Sequence, residues 1–437
     1  MTATAPASEP SEAAVIEPHD PIGALREPPF RRFVTGNFLA LLGSQMQATA
    51  VGWDVYEVTG KTLDLGLVGL AQVIPVLFFA IPAGNVIDRY SRRNVILAAT
   101  AVLIGCSLAL AYASRIGAGT AMILPCLLVN GLARTFLQPA KSSLIPTLVP
   151  RWRFANAVTW STSSFQLATV IGPGIGGWVI AYWGQATWVY LIDAGFTLFF
   201  LLQVARLPPL PAAAHREPAT WRSVLGGVEY VWRTKLVLGA LALDMFAVLL
   251  GGATALLPVY AKDILLVGPT GLGALRAAPG IGALVVSLAL LALPPMRRAG
   301  SVLLWSVAGF GVATIVFGAT RNYPVALAML FLTGALDMIS VVIRHTLVQT
   351  WTPDAMRGRV SSVNSLFIGI SNELGSLESG LVAHWFTRQN DVAFGPTVSV
   401  VSGGIGTLVV VLLTAVLVPS MRRYDRLTDG PAKTDDR

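Results

Sequence analysis

The sequence predicts an all-α membrane protein, with twelve transmembrane helices in two pseudo-symmetric six-helix bundles. Three observations predict it. First, the 437 residues are 54% hydrophobic and only 12% charged, against roughly 25% charged in soluble domains. Second, apolar runs long enough for a bilayer-spanning helix, about 20 residues, recur along the whole chain between short polar joints. Third, the two halves repeat each other at an offset of 203 positions. This composition excludes an ordinary cytosolic enzyme, a disordered protein and a nucleic-acid binder. The two cysteines, Cys106 and Cys126, lie in apolar runs and form no disulfide framework.

Residues 1–32 hold Pro, Ala, Ser and Glu and read as a disordered cytoplasmic tail. No basic start followed by a short apolar stretch marks a cleavable signal there. Spans one to six fall at 33–57, 65–87, 94–114, 120–142, 157–182 and 186–206, so the N-terminal bundle is 33–206. Residues 207–235 form the longest joint, a cytoplasmic linker. Its second half, Trp221 and Arg222 through Trp232 and Arg233, mixes aromatics and basics as an interfacial helix does. Spans seven to twelve fall at 236–260, 270–293, 301–320, 324–345, 361–386 and 397–418. The C-terminal bundle is thus 236–418, and 419–437 is a polar cytoplasmic tail.

Basic residues set the orientation. With both termini in the cytoplasm, the inner segments carry 24 of the 31 Lys and Arg, and the outer joints five: Lys61, Arg115, Lys262, Arg321 and Arg388. The remaining two, Arg134 and Arg276, lie within spans. The net charge of +8 is therefore explained by topology rather than by a binding surface. The repeat aligns Lys141 with Arg344, Leu144 with Leu347, Pro150 with Pro353, Gly172 with Gly375 and Gly177 with Gly380. Halves related by an axis along the membrane normal place equivalent positions at equal depth on opposite sides of a central pathway.

The joint after span two carries Gly84, Asp88, Arg89, Arg92 and Arg93. This pattern resembles the loop motif Gly-x-x-x-Asp-Arg-x-Gly-Arg-Arg of the major facilitator superfamily, with Ser91 in the second glycine's place. The resemblance implies that Asp88 contacts the start of span eleven, where Arg357 and Arg359 stand, and locks the inner face; a helix N-terminus attracts a carboxylate. Gly172, Pro173, Gly176 and Gly177 in span five resemble the antiporter motif of exporters in that superfamily. The same letters fit a dinucleotide fingerprint at 172, 174 and 177, but no strand–turn–helix surrounds them. Close packing of helices through small residues explains them as well. Residues 347–359, with 52–56 and 139–146, are similar to the enterobactin-exporter-like branch, which is grouped with drug:proton antiporters. That resemblance covers nearly all of 30–426 and implies proton-driven efflux across a bacterial inner membrane.

Eight ionisable residues fall within spans: Asp54, Arg134, Asp193, Asp244, Arg276, Asp337, Glu373 and Glu378. Such residues are expensive in lipid and mark function by default. Arg134 and Asp337 are repeat mates, so an interaction across the cavity, direct or through water and sensitive to the alternating-access state, is expected; pairing of each within its own half is the alternative. Arg134 shares a polar stripe with Asn130, Gln138 and Lys141, and Asp337 one with Thr333, Ser340 and Arg344. Glu378 shares a face with Asn364, Ser371, Gly375 and Ser379 and has no basic neighbour on its helix. It is the first choice for carrying a proton; Asp54, on a face with Gln47, is the second, and Glu373 and Asp337 are further candidates. Structural hydrogen bonding by Glu378 is an equal alternative.

The four scattered histidines suggest no metal site, and no phosphate-binding loop or nucleophile elbow is found. No cofactor is expected, and no soluble stretch is long enough for a nucleotide domain. The expected function is secondary active transport: efflux of a small amphipathic or siderophore-like compound against protons, by a monomer in the bacterial inner membrane. An importer or facilitator on the same fold is one rival, and a transport-inactive membrane sensor or assembly partner is the other.

Overall fold

The computed structural model describes residues 20–208, 221–251, 253–293, 296, 298–388 and 391–425. Much of both expected tails, and the linker over 209–220, lie outside the described residues. What is described is helical. Six long helices form the first half: α1 (Pro28–Thr59), α2 (Thr62–Arg89), α3 (Arg92–Ile116), α4 (Thr120–Leu148), α5 (Phe154–Trp183) and α6 (Thr187–Ala205). The linker helix α7 (Trp221–Arg233) follows. The second half holds α8 (Lys235–Leu250), the short α9 (Leu257–Val259), α10 (Gly268–Ala292), α11 (Ala299–Ala319), α12 (Tyr323–Trp351), α13 (Asp354–Phe386) and α14 (Phe394–Leu417), and α15 (Pro419–Arg423) ends it.

Each predicted span meets a helix, with two instructive differences. Helices outrun the apolar stretches: α1 starts at Pro28, where proline suits the first turn, and α13 starts at Asp354 rather than 361. Polar turns at the membrane surface stay helical because their backbone bonds are local. Span seven, expected as one rod, breaks after Leu250 near Gly251 and resumes through α9 and a widened turn over Tyr260–Ile264; glycine and proline cause such kinks. Among the described residues ten helices are long and apolar enough to cross a membrane. The two long helices that fall short are α1 and α13, which carry Gln45, Gln47 and Asp54, and Asn364, Asn372, Glu373 and Glu378. Their neighbours shelter them: α1 packs on α5 and α6, and α13 on α8 and α14.

The repeat is visible in the packing. In the first half α1 meets α5 and α6, α3 meets α4 and α6, and α2 meets α4. In the second, α8 meets α13 and α14, α11 meets α12 and α14, and α10 meets α12. Two seams join the halves, α2 on α13 and α5 on α10, and the pseudo-twofold exchanges them. The aligned glycines make the same contacts. Gly172 lies on α1 and its mate Gly375 on α8; Gly177 lies on α10 and its mate Gly380 on α2. A Cβ on Gly177 would fall 3.0 Å from the Gly273 Cα, and one on Gly380 would fall 2.7 Å from the Gly66 Cα.

All of these seam contacts lie toward one face of the molecule, the distal face, which holds the ends Thr59, Trp183 and Phe386. The opposite face holds both chain ends. A single apolar core spans both halves at the distal face, with Met46, Tyr56 and Tyr190 of one half beside Leu256, Tyr260 and Leu272 of the other. Toward the terminal face the core splits into two clusters, one within each half. Polar contacts reinforce the distal seal. The Tyr56 hydroxyl donates to Asp263, and Lys262 pairs with Glu57 at 2.8 Å. The pathway between the halves is therefore closed distally and parts toward the terminal face.

Gly177→Val should lower the thermal midpoint of the purified protein, because overpacking costs about 1–3 kcal/mol. Gly174→Val, whose Cβ would meet nothing within 4 Å, should leave it unchanged. Both are read by thermal unfolding in detergent.

Candidate functional site

A cavity of about 50 Å³ lies within the first half, among α1, α3, α4 and α6. Its polar lining is one connected network. Asp193 on α6 accepts from the Ser107 hydroxyl at 2.6 Å and from the Gln47 amide at 3.0 Å. The Gln47 carbonyl faces the Asn130 amide at 3.4 Å and the Arg134 guanidinium at 3.5 Å. Arg134 also donates to the Ser44 hydroxyl at 2.9 Å. Gly43 makes the approach of α6 possible: a Cβ there would sit 3.0 Å from the Asp193 Cα. Gln138 and Lys141 complete the lining, and the Lys141 ammonium lies 5.0 Å from the centre of the Phe200 ring.

A second cavity, about 180 Å³, lies in the other half, lined by Asp337, Thr333 and Asn372 with Phe310, Phe317 and Leu330. Arg344, the repeat mate of Lys141, makes a buried ion pair with Asp244. Glu373 on α13 lies against Gly69 of α2 at one seam and acts electrostatically on Arg134 of the other half. Arg276 on α10 points at α1, with its Nη2 3.4 Å from where a Cβ on Gly52 would be. A charge at mid-helix costs about 2.5–3.5 kcal/mol on an insertion scale, so each of these placements needs a compensating partner or a function.

The structure does not bring Arg134 and Asp337 together. Equal depth is not contact: Arg134 turns to α1 of its own half, while Asp337 lines the cavity of the other. Among the described residues no hydrogen bond or ion pair joins them. Gln47, Asn130, Gln138 and Arg134 do share one cavity. Asp54 is buried elsewhere, accepting from the Tyr190 hydroxyl at 3.3 Å. Glu378 accepts from Ser379 at 3.4 Å, near the distal seam.

Two arginines of the motif after α2, Arg92 and Arg93, bond within their own half. Arg92 donates to the Ser143 carbonyl at 2.9 Å, and Arg93 to those of Val204 at 3.2 Å and Ala205 at 2.6 Å. Arg93 thus caps the end of α6, while Arg92 ties the start of α3 to α4. The Asp88 side chain lies outside the described residues; Gly84 is half-buried and Arg89 exposed at the end of α2. Arg357 donates to the Gln349 carbonyl at 3.2 Å, and Arg359 contacts the Met356 sulfur at 3.8 Å. In span five, Gly172 and Gly176 pack on Leu42 and Met46 of α1, and Gly177 on α10. Pro173 offers its carbonyl side to Gly273 of the same seam.

Asp193 receives no role from the sequence, yet it anchors the network. Its partners lie 86 and 146 positions away, beyond any helical periodicity. The available signal is an acid deep in an apolar span with no base on its own helix. Asp193→Leu should remove the acceptor of two polar side chains, Ser107 and Gln47, and lower stability by about 1–3 kcal/mol for each group left unpaired. Asp193→Asn, which keeps an acceptor oxygen, should cost less. Thermal midpoints in detergent separate the two.

Relatives agree with this geometry. A family model described as transmembrane secretion effector matches residues 19–426. The enterobactin exporter EntS of Shigella boydii serotype 18 is 26% identical over 399 residues, 91% of this chain and 93% of that protein. EntS of Escherichia coli O157:H7 has the same identity over the same lengths. A bacterial homologue of the iron transporter ferroportin, in its inward-facing state, superposes with a TM-score of 0.68 at 16% identity, over 91% of this chain and 99% of that one. The nucleoside transporter NupG does so with a TM-score of 0.65 at 14% identity, over 90% and 98%. At these identities the two structures speak for the fold alone. The family match over residues 19–426, together with ten helices long and apolar enough to cross a membrane among the described residues, shows that the chain is a multi-pass membrane protein belonging to the transmembrane secretion effectors of the major facilitator superfamily.

Proposed function

We propose that the protein exports a small amphipathic or siderophore-like compound from the bacterial cytoplasm in exchange for protons. The observation that carries this reading is the divided core: one apolar cluster seals the halves at the distal face, and two separate clusters face each other toward the terminal face. The excess of Lys and Arg on the terminal face supports a cytoplasmic location for it. The molecule is then inward-open, ready to load cargo from inside. Breaking the distal seal and closing the arginine-rich face delivers the cargo outward. The relatives called enterobactin exporters, similar along nine-tenths of the chain, support both the direction and the cargo class.

Proton coupling falls to a carboxylate that both faces reach in turn. Glu373 fits best. It stands near the middle of α13, at a seam between the halves, and acts on a cation of the opposite half. Glu378 lies about a turn further toward the sealed face, and Asp54 is enclosed with Tyr190. A proton on Glu373 weakens its attraction for Arg134, so loading and release of the proton bias how the halves lean together.

In everted membrane vesicles with an acid lumen, enterobactin should accumulate several-fold and leave when the pH gradient is collapsed. Equilibration that ignores the gradient would favour the facilitator reading. Glu373→Gln, which mimics the loaded carboxylate, should retain cargo exchange while losing the response to the gradient. Glu378→Gln should retain both.

A further inference from the structure

Four basic side chains lie in the interior of the bundles, and three of them are compensated. Arg134 bonds Ser44 and Gln47 under the field of Asp193 and Glu373. Lys141 lies over the Phe200 ring, and Arg344 pairs with Asp244. Arg276 is different. Its Nε is buried with no hydrogen-bond partner, as are those of Arg134 and Arg344, but among the described residues no ion pair or hydrogen bond engages any part of its guanidinium. The acids on the facing elements are already taken: Asp54 by Tyr190, Glu57 by Lys262, and Asp263 by Tyr56. An arginine cannot discharge itself by losing its proton.

Its position is equally specific. Gly273 and Gly280, a turn to either side on α10, pack against α5 across the seam. Arg276 therefore stands at the junction of α10, α5 and α1, where the two halves meet just below the distal seal. Gly52 notches α1 opposite the guanidinium, and a side chain there would crowd both Arg276 and Pro258. A forked cation is thus held near the closed end of a pathway that parts toward the other face, with no counter-charge on it among the described residues.

We infer that Arg276 is the anion-recognition residue of the transport pathway, and that the cargo carries a planar anionic group, a carboxylate or a pair of phenolate oxygens. This rests on the transport reading above. Bidentate pairing with such a group matches guanidinium geometry, and the low-dielectric surroundings strengthen it. The fold carries the uncompensated charge at a cost in stability, and the cargo supplies the missing partner.

The test uses the full chain in nanodiscs and two probes of equal shape, 2-naphthoate and its neutral amide, with binding read by tryptophan quenching. Wild type should bind the carboxylate at least tenfold more tightly than the amide. Arg276→Gln should erase that preference, and Arg276→Lys should recover only part of it. Equal affinity of wild type for the two probes, or a preference that survives in Arg276→Gln, overturns the inference. A second measurement separates ligand binding from scaffolding: without ligand, Arg276→Met should melt at a higher temperature than wild type. A lower midpoint would mean that the guanidinium is a structural element, and would also overturn it. Transport is scored separately. Carboxylate binding through Arg276 without gradient-driven movement would sink the export reading and leave the anion site standing. Gradient-driven movement of enterobactin without any carboxylate preference would do the reverse.

Discussion

Backbone contact between glycines at the two seams is the constraint on which the arrangement of the halves depends. Lipid tails are as apolar as leucine, so helices in a bilayer gain little from burying hydrocarbon against one another. What holds the halves together is close approach, and close approach needs residues without side chains. Gly177 against Gly273 and Gly380 against Gly66 supply it at symmetry-related places. Both contacts lie toward the distal face, so the halves touch there and diverge toward the other. Around these backbone contacts the apolar core of the distal face closes over both halves. The Tyr56–Asp263 and Glu57–Lys262 contacts add direction to the closed state, since they join the end of α1 to the turn after α9 and to nothing on the opposite face.

The fold was largely legible in the sequence because lipid imposes a rule on every span. Each must be helical, long and mostly apolar, and each joint must be short. The 203-residue offset then carries the rest, and the structure repeats it helix by helix. Legibility fails where the signal is not apolar length. α1 and α13 are the most polar long helices, and their spans stop short because their outer turns carry charge while remaining helical. The break after Leu250 depends on one glycine and a proline whose effects periodicity averages away. The loop motif after α2 was legible as letters, but the bonds of Arg92 to α4 and of Arg93 to the end of α6 are set by tertiary approach.

The site was less legible, for a physical reason that Arg134 and Asp337 make plain. A repeat preserves depth and helix, but the direction of a side chain within a bundle follows from its partners. Arg134 finds Ser44 and Gln47 on α1. The corresponding helix in the other half, α8, offers Asp244, and it is Arg344, about two turns further along the stripe that Asp337 shares on α12, that takes it. Asp337 is thereby left at the wall of its own cavity. Lys141 and Arg344 show the same divergence, since one cation lies on an aromatic ring and its mate on a carboxylate.

This divergence has a consequence for how such a molecule can work. Two chemically identical halves would hold a bound molecule symmetrically about the axis. Here the first half satisfies its interior charges through a network of neutral amides and hydroxyls around Asp193. The second uses one direct pair and leaves Asp337 and Arg276 without partners among the described residues. Neutral hydrogen-bond networks tolerate small shifts, because each bond is worth little net and neighbours share the change. Unpaired charges respond strongly, because any counter-charge that arrives relieves an uncompensated penalty. The two halves thus meet the same electrostatic demand by different means, one with a shared network and the other with a direct pair and isolated charges.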